Sequence, residues 1–275
     1  MASDDAAQLD LVFALGADGR SRLAKRRVGY PWALTRPFWI DRAPAGMASL
    51  IPQSATSILL AEDRFRQRIA VKAGAAAHVA SQGAQAVHRG KAEAAASSRW
   101  QLSCAAGGLL EVLNDPPILF PQANLRQEIE IDLAADATLL LAEGVTWHPD
   151  PAAPSFHGCE TCLTVRRPEG QLLLHERGQI TPTALARAGR PHLAALAQVW
   201  VLTAPRPGLE AALRQVLAGE PQAYGGVTTL PHDAGLLLRA ACLQSGALRR
   251  LQEAAWRATR TLLYGKKPPS RRRGL

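Results

Sequence analysis

The chain has 275 residues, is 47% hydrophobic and carries a formal charge of +9. This composition suits a folded core and excludes an intrinsically disordered polypeptide. No apolar run reaches the roughly twenty residues of a membrane-spanning helix. The opening MASDDAAQLDL lacks the basic-then-apolar order of a signal peptide, so the expected setting is cytoplasmic.

Much of the positive charge is local. Lys266, Lys267, Arg271, Arg272 and Arg273 crowd the end of the chain beside Pro268, Pro269 and Gly274. Residues 266–275 are therefore expected to be a solvated basic tail following one domain over 1–265. Aromatics are 5% of the chain and no basic stripe is interleaved with them, so a nucleic-acid partner is not expected. Cys104, Cys159, Cys162 and Cys242 are too scattered for a disulfide framework and are expected to be reduced.

Along the chain, one plan recurs at residues 69–79, 100–113 and 129–142: strand, small-residue turn, strand. Superposition aligns Val71, Cys104 and Leu133, with Gly74, Gly107 and Asp136 at the turns, where both residue types tolerate a tight reversal. The period predicts stacked β units that bury their apolar faces against one another, hence a mainly β fold of layered sheets. In the first unit Phe65, Ile69 and Val71 share a face opposite Arg64, Arg66, Arg68 and Lys72; in the third, Ile129, Ile131 and Leu133 oppose Glu128, Glu130 and Asp132. These basic and acidic faces either pair across a sheet or both meet water.

A further strand is predicted at 172–175. The character then changes. Residues 182–188 and 191–197 are rich in Ala and Leu and read as two short helices, with Gly189 and Pro191 as the stop and the start. A short strand at 198–202 and a helix at 207–219 follow. At 246–264 Leu248, Leu251, Ala255, Ala258 and Leu262 recur at helical spacing, with Arg249, Arg250, Glu253, Arg257 and Arg260 on the remaining surface and Gly265 as the stop.

Few residues announce chemistry. HGCETC supplies His157, Cys159 and Cys162, with His148 and Asp150 just upstream, a donor set suited to zinc, nickel or copper(I). The alternative is an ordinary reduced pair, since no second C-x-x-C provides further ligands. The chain lacks G-x-S-x-G, a Walker loop, a dinucleotide-binding glycine fingerprint and H-E-x-x-H, so no enzyme is expected. His78, His88, His175, His192 and His232 are dispersed. Asp63, Glu143 and Glu176 fall at strand ends, where they are either surface acids or guides for a divalent cation.

Three ordered blocks carry a family resemblance. Residues 16–39 contain Arg20, Ser21, Pro31, Leu34, Arg36, Pro37 and Phe38. Residues 113–144, LNDPPILFPQANLRQEIEIDLAADATLLLAEG, combine a Pro-bounded apolar patch with an alternating strand. Trp256, Arg260, Leu263 and Gly265 form a W-x-x-x-R-x-x-L-x-G helix. Together they resemble the UreD/UreH family of urease accessory proteins over nearly the whole chain. The chain departs from the family where SILLAEDRF replaces a glycine-rich loop, keeping Asp63, and where ASQGAQAVHR keeps Gln82, Ala84, Val87 and Arg89. The resemblance implies a scaffold without permanent cofactor that binds apo-urease subunits, UreF and UreG and passes nickel in transit, with Asp63, Glu143 and Glu176 along the conduit. The other readings are a metal-binding protein centred on His157, Cys159 and Cys162, or a β scaffold with another partner.

Overall fold

A computed structural model describes residues 6–90, 94–148, 155–187 and 192–269. The elements in chain order begin with β1 (Leu9–Leu15), β2 (Ser21–Val28), β3 (Trp32–Leu34), β4 (Ala48–Leu50), β5 (Pro52–Ser54) and β6 (Ile58–Leu59). There follow β7 (Arg64–Val71), β8 (Ala76–Ala80), β9 (Ala86–Val87), β10 (Ala96–Cys104), β11 (Leu109–Leu113), β12 (Ile118–Leu119), β13 (Asn124–Leu133) and β14 (Thr138–Trp147). The last third holds β15 (Gly158–Arg166), β16 (Leu172–Ile180), α1 (Pro182–Arg187), β17 (Ala195–Leu202), α2 (Leu209–Ala218), β18 (Ala223–Thr229), β19 (Gly235–Cys242) and α3 (Ser245–Tyr264).

The fold is mainly β, in two stacked sheets. One runs β16-β15-β13-β10-β7-β1-β2; the other runs β18-β19-β17-β14-β11-β8-β4, with β12 beside β14, β9 beside β12 and β6 beside β9. The repeat units are coils of this stack. Each sends one strand (β7, β10, β13) through the first sheet and returns it (β8, β11, β14) through the second, pairing in parallel with the next coil. Cys104 pairs with both Val71 and Leu133, the alignment the repeat predicts. Gly74 and Gly107 turn the chain at φ 66° and 63°, a conformation that disfavours a Cβ.

Between the sheets lies one core of Leu11, Phe13, Ile69, Leu102, Ile131, Leu139, Leu141 and Trp200. A second core forms where α2 and α3 cover the far face of β17 and β19, through Leu213, Leu238, Leu248 and Leu251. The outer face of the first sheet remains polar. There β10 separates the basic and acidic strands, and Arg99 pairs with Glu128 at 2.6 Å.

Two sequence expectations are corrected. Residues 195–197, read as part of a helix over 191–197, begin β17 instead. Ala and Leu favour helix in isolation, but this strand is buried in mid-sheet, where burial on both faces removes the alternating pattern that marks a strand. Arg260, placed on the surface of α3, is fully buried, whereas Leu262 is exposed. The buried stripe runs instead through Leu248, Leu251, Gln252, Ala255, Trp256, Thr259 and Arg260. Most of the tail expected at 266–275, like Asp150, lies outside the described residues.

Candidate functional site

The inner face of the second sheet ends in charge. Pairing sets Glu143 of β14, Gln198 of β17 and Arg239 of β19 in one row. Period-two alternation places this row on the same side as Leu141, Trp200 and Leu237 of the inter-sheet core. From the first sheet, Glu176 of β16 ion-pairs with Arg239. The Trp200 indole Nε1–H donates to Glu143 Oε2 at 2.9 Å, and Gln252 of α3 donates to the Glu143 main-chain oxygen at 2.5 Å. Arg239 thus draws Glu176 of one sheet towards Glu143 of the other at one end of the inter-sheet space, near enough for the Glu176 charge to act on Glu143.

Burial pushes the Glu143 carboxyl up to about 7; the Trp200 hydrogen bond opposes this and the nearby Glu176 charge reinforces it. A carboxyl held there exchanges its proton near neutral pH. When ionised, Glu143 and Glu176 offer hard oxygen donors, which suit a divalent cation, and Arg239 supplies the compensating charge while no cation is present.

Asp63 is not part of this pair. It ends the turn before β7 and accepts the Leu60 N–H at 2.7 Å. Four strand spacings of about 4.8 Å separate β7 from β16, and the register sets Glu176 level with Gln67, four residues further on, so Asp63 stands more than about 19 Å from Glu176.

The histidine and cysteine cluster is also taken apart by the fold. HGCETC enters β15, and residues three apart on a strand face opposite sides. Cys159 is buried and its thiol is pushed up to about 12 by burial, whereas Cys162 lies on the half-buried outer side. The His157 main chain caps the strand by donating to Ala123 O at 2.7 Å. His148 packs instead on Phe120, ring centroids 4.8 Å apart, and His88 stacks on the same ring at 4.2 Å. Among the described residues, no three His, Cys, Asp or Glu side chains gather as a metal site.

A second charged cluster was hidden from sequence reasoning. Arg260 of α3 donates to Glu111 Oε1 at 2.8 Å, Asp41 Oδ1 at 2.8 Å and Ala43 O at 2.6 Å. His78 Nδ1 lies 2.7 Å from Glu111 Oε2, and Trp256 Nε1–H donates to the same oxygen at 3.0 Å. Arg260 and Glu111 are wholly inaccessible, so this cluster bolts α3 to β8, β11 and the segment before β4 and contacts no solvent. The functional residues missed by sequence reading, Arg239, Trp200 and Gln252, carry no motif; only the register brings them to Glu143.

A family model described as "UreD urease accessory protein" matches residues 5–274. Similar curated proteins include "Urease accessory protein UreD 1" of Bradyrhizobium sp. strain BTAi1, 37% identical over 243 residues, covering 87% of this chain and 85% of the relative. "Urease accessory protein UreD 1" of Methylorubrum extorquens strain PA1 is 36% identical across 97% of this chain and 91% of its own. That of Pseudomonas syringae pv. syringae strain B728a is 31% identical across 96% and 94%.

Proposed function

The chain belongs to the UreD family of urease accessory proteins, and from that premise we propose that it is a non-enzymatic nickel-insertion scaffold. In this reading it works in the cytoplasm by binding apo-urease subunits and the UreF–UreG pair, and nickel is its cargo. The observation that supports the reading is the electrostatic coupling of Glu143 and Glu176 across the inter-sheet space, with Arg239 as the counter-charge an incoming cation displaces. Two carboxylates, without a third His, Cys, Asp or Glu donor among the described residues, are a weak match for a borderline cation such as nickel and hold it loosely, as transfer requires. A full tetrahedral thiolate–imidazole site would retain it. Asp63, at the far end of the same sheet, serves as an entry or exit point and not as a third ligand.

Co-purification of the full chain with apo-urease subunits and UreF, followed by nickel loading of the assembled complex, tests the reading. The Glu143→Gln/Glu176→Gln variant is expected to co-purify like the parent while urease activation falls at least tenfold. A folded chain that captures neither partner sinks the urease reading. Unchanged activation by the double variant sinks the assignment of the carboxylates.

A further inference from the structure

The second sheet is not continuous. β8 stops at Ala80 and β9 starts at Ala86; one coil later β11 stops at Leu113 and β12 starts at Ile118, whereas β14 runs unbroken from Thr138 to Trp147. Two consecutive coils part at the same height. Between the sheets this leaves a cavity of about 390 Å³, within the range of small-molecule sites. Its mouth lies at the exposed Ser57, Gln82 and Gly83.

The first sheet changes character at that height. Where the neighbouring rung presents Ile69, Leu102 and Ile131 inward, the next two rungs, Gln67–Trp100–Ile129 and Phe65–Ser98–Gln127, bring Gln67, Ser98, Trp100 and Gln127 to the cavity wall. Gln67 is 2% exposed and its amide nitrogen donates to Ser98 Oγ at 3.4 Å, yet its Oε1 has no partner. On the same cavity wall the indole N–H of Trp32 and the amide nitrogen of Gln85 are buried and also lack partners. Buried polar groups are normally satisfied, so one acceptor and two donors left open around one cavity describe the negative image of a ligand.

The charge of that ligand follows from the wall. Among the described residues no lysine or arginine lines the cavity, and the one carboxylate among them, Asp115, is engaged by Arg249 at 3.3 Å. An anion finds no counter-charge here and a cation finds none free. A carbonyl oxygen has two lone pairs for the Trp32 and Gln85 donors, and an amide N–H₂ supplies the donor that Gln67 Oε1 lacks. We propose that this inter-sheet cavity binds a small uncharged primary carboxamide. The site is separate from Glu143 and Glu176, and the proposal stands or falls apart from the nickel reading.

Acetamide, acetate and acetamidinium have the same shape but neutral, negative and positive charge, and saturation-transfer NMR on the full chain compares them. Acetamide is expected to give a saturable signal, and the two ions none. Gln67→Leu is expected to weaken acetamide at least tenfold, and so is Gln85→Leu, which sits at the half-buried wall and keeps the test available if the first variant misfolds. Absence of a saturable acetamide signal, equal signals from all three probes, or undiminished binding in both variants would overturn the proposal.

Discussion

Replacing Arg260 with methionine keeps the length and apolar stem of the side chain and removes only the guanidinium. In the native structure that group satisfies Glu111 and Asp41 at 2.8 Å each inside a region from which solvent is absent. Removing one member of a buried ionic cluster costs about 3–5 kcal/mol, because the remaining carboxylates stay desolvated without their counter-charge. An independent route gives a similar size. Glu111 is held down to about 2 despite its burial, by His78 and Arg260, against an ordinary value of 4.5. A depression of that extent is worth roughly 3 kcal/mol. Its sign is fixed: the folded value lies below the unfolded one, so the contribution is complete above pH 4.5 and is lost as pH falls towards 2. Equilibrium urea unfolding at pH 7, pH 4 and pH 2 measures both effects. Arg260→Met should keep most of its stability difference from the parent at pH 4 and lose it only as pH approaches 2. Adding Glu111→Gln should cost less than the sum of the two single changes, since both act on one interaction. A loss below about 1 kcal/mol at pH 7, or strict additivity, refutes the argument that this cluster bolts the final helix in place.

Glu143→Gln tests the opposite sign. Here the folded value is raised to about 7 from 4.5, so the parent loses stability as pH rises through that interval; the amide still accepts the Trp200 N–H without the charge. Its melting temperature should exceed the parent's by about 6 °C at pH 8 and match it at pH 4, and a lower value at pH 8 contradicts the reasoning. Burial pushes the thiols of Cys104 and Cys159 up to about 12 and that of Cys242 to about 11. Iodoacetamide at pH 8 should therefore add one label to the native chain, at Cys162, by mass spectrometry; labelling of Cys159 before unfolding refutes this. A Cβ at Gly144 would lie 2.5 Å from Leu196 O and 2.9 Å from Leu248 Cδ1. Gly144→Ala should thus destabilise the β14–α3 contact by about 1–3 kcal/mol on denaturant titration, and a neutral result would show that the helix yields freely.

What the sequence disclosed was periodic. Val71, Cys104 and Leu133 align in one dimension for the same reason that they pair in three, because each coil repeats the same inward and outward choices. The final helix was legible too, since its apolar spacing and Gly265 depend only on near neighbours. Arg260 was misjudged because a helical wheel ranks a guanidinium as solvent-facing. Its partners Glu111 and Asp41 lie 149 and 219 residues away in sequence. The strand at Ala195–Leu202 was half lost for a related reason: a strand buried on both faces has no polar face to alternate with. At the candidate site, Glu143 and Glu176 could be named but not joined. Their coupling depends on Arg239 and Trp200, placed by antiparallel pairing that no local pattern encodes. HGCETC left a metal site and an ordinary reduced pair both open, because a spacing that chelates on a turn splits apart on a strand, and only the fold shows which backbone it has.

The bond between Arg260 and Asp41 also sets an order of events during synthesis. At about 5–20 residues per second, the 219 positions from Asp41 to Arg260 take about 10–40 s to emerge from the ribosome. Throughout that time Asp41 waits for its cation, and the coils already made have nothing to clamp their open side. The newborn polypeptide therefore passes through a long unlatched stage, which is the interval in which a chaperone or an assembly partner gains most by holding it.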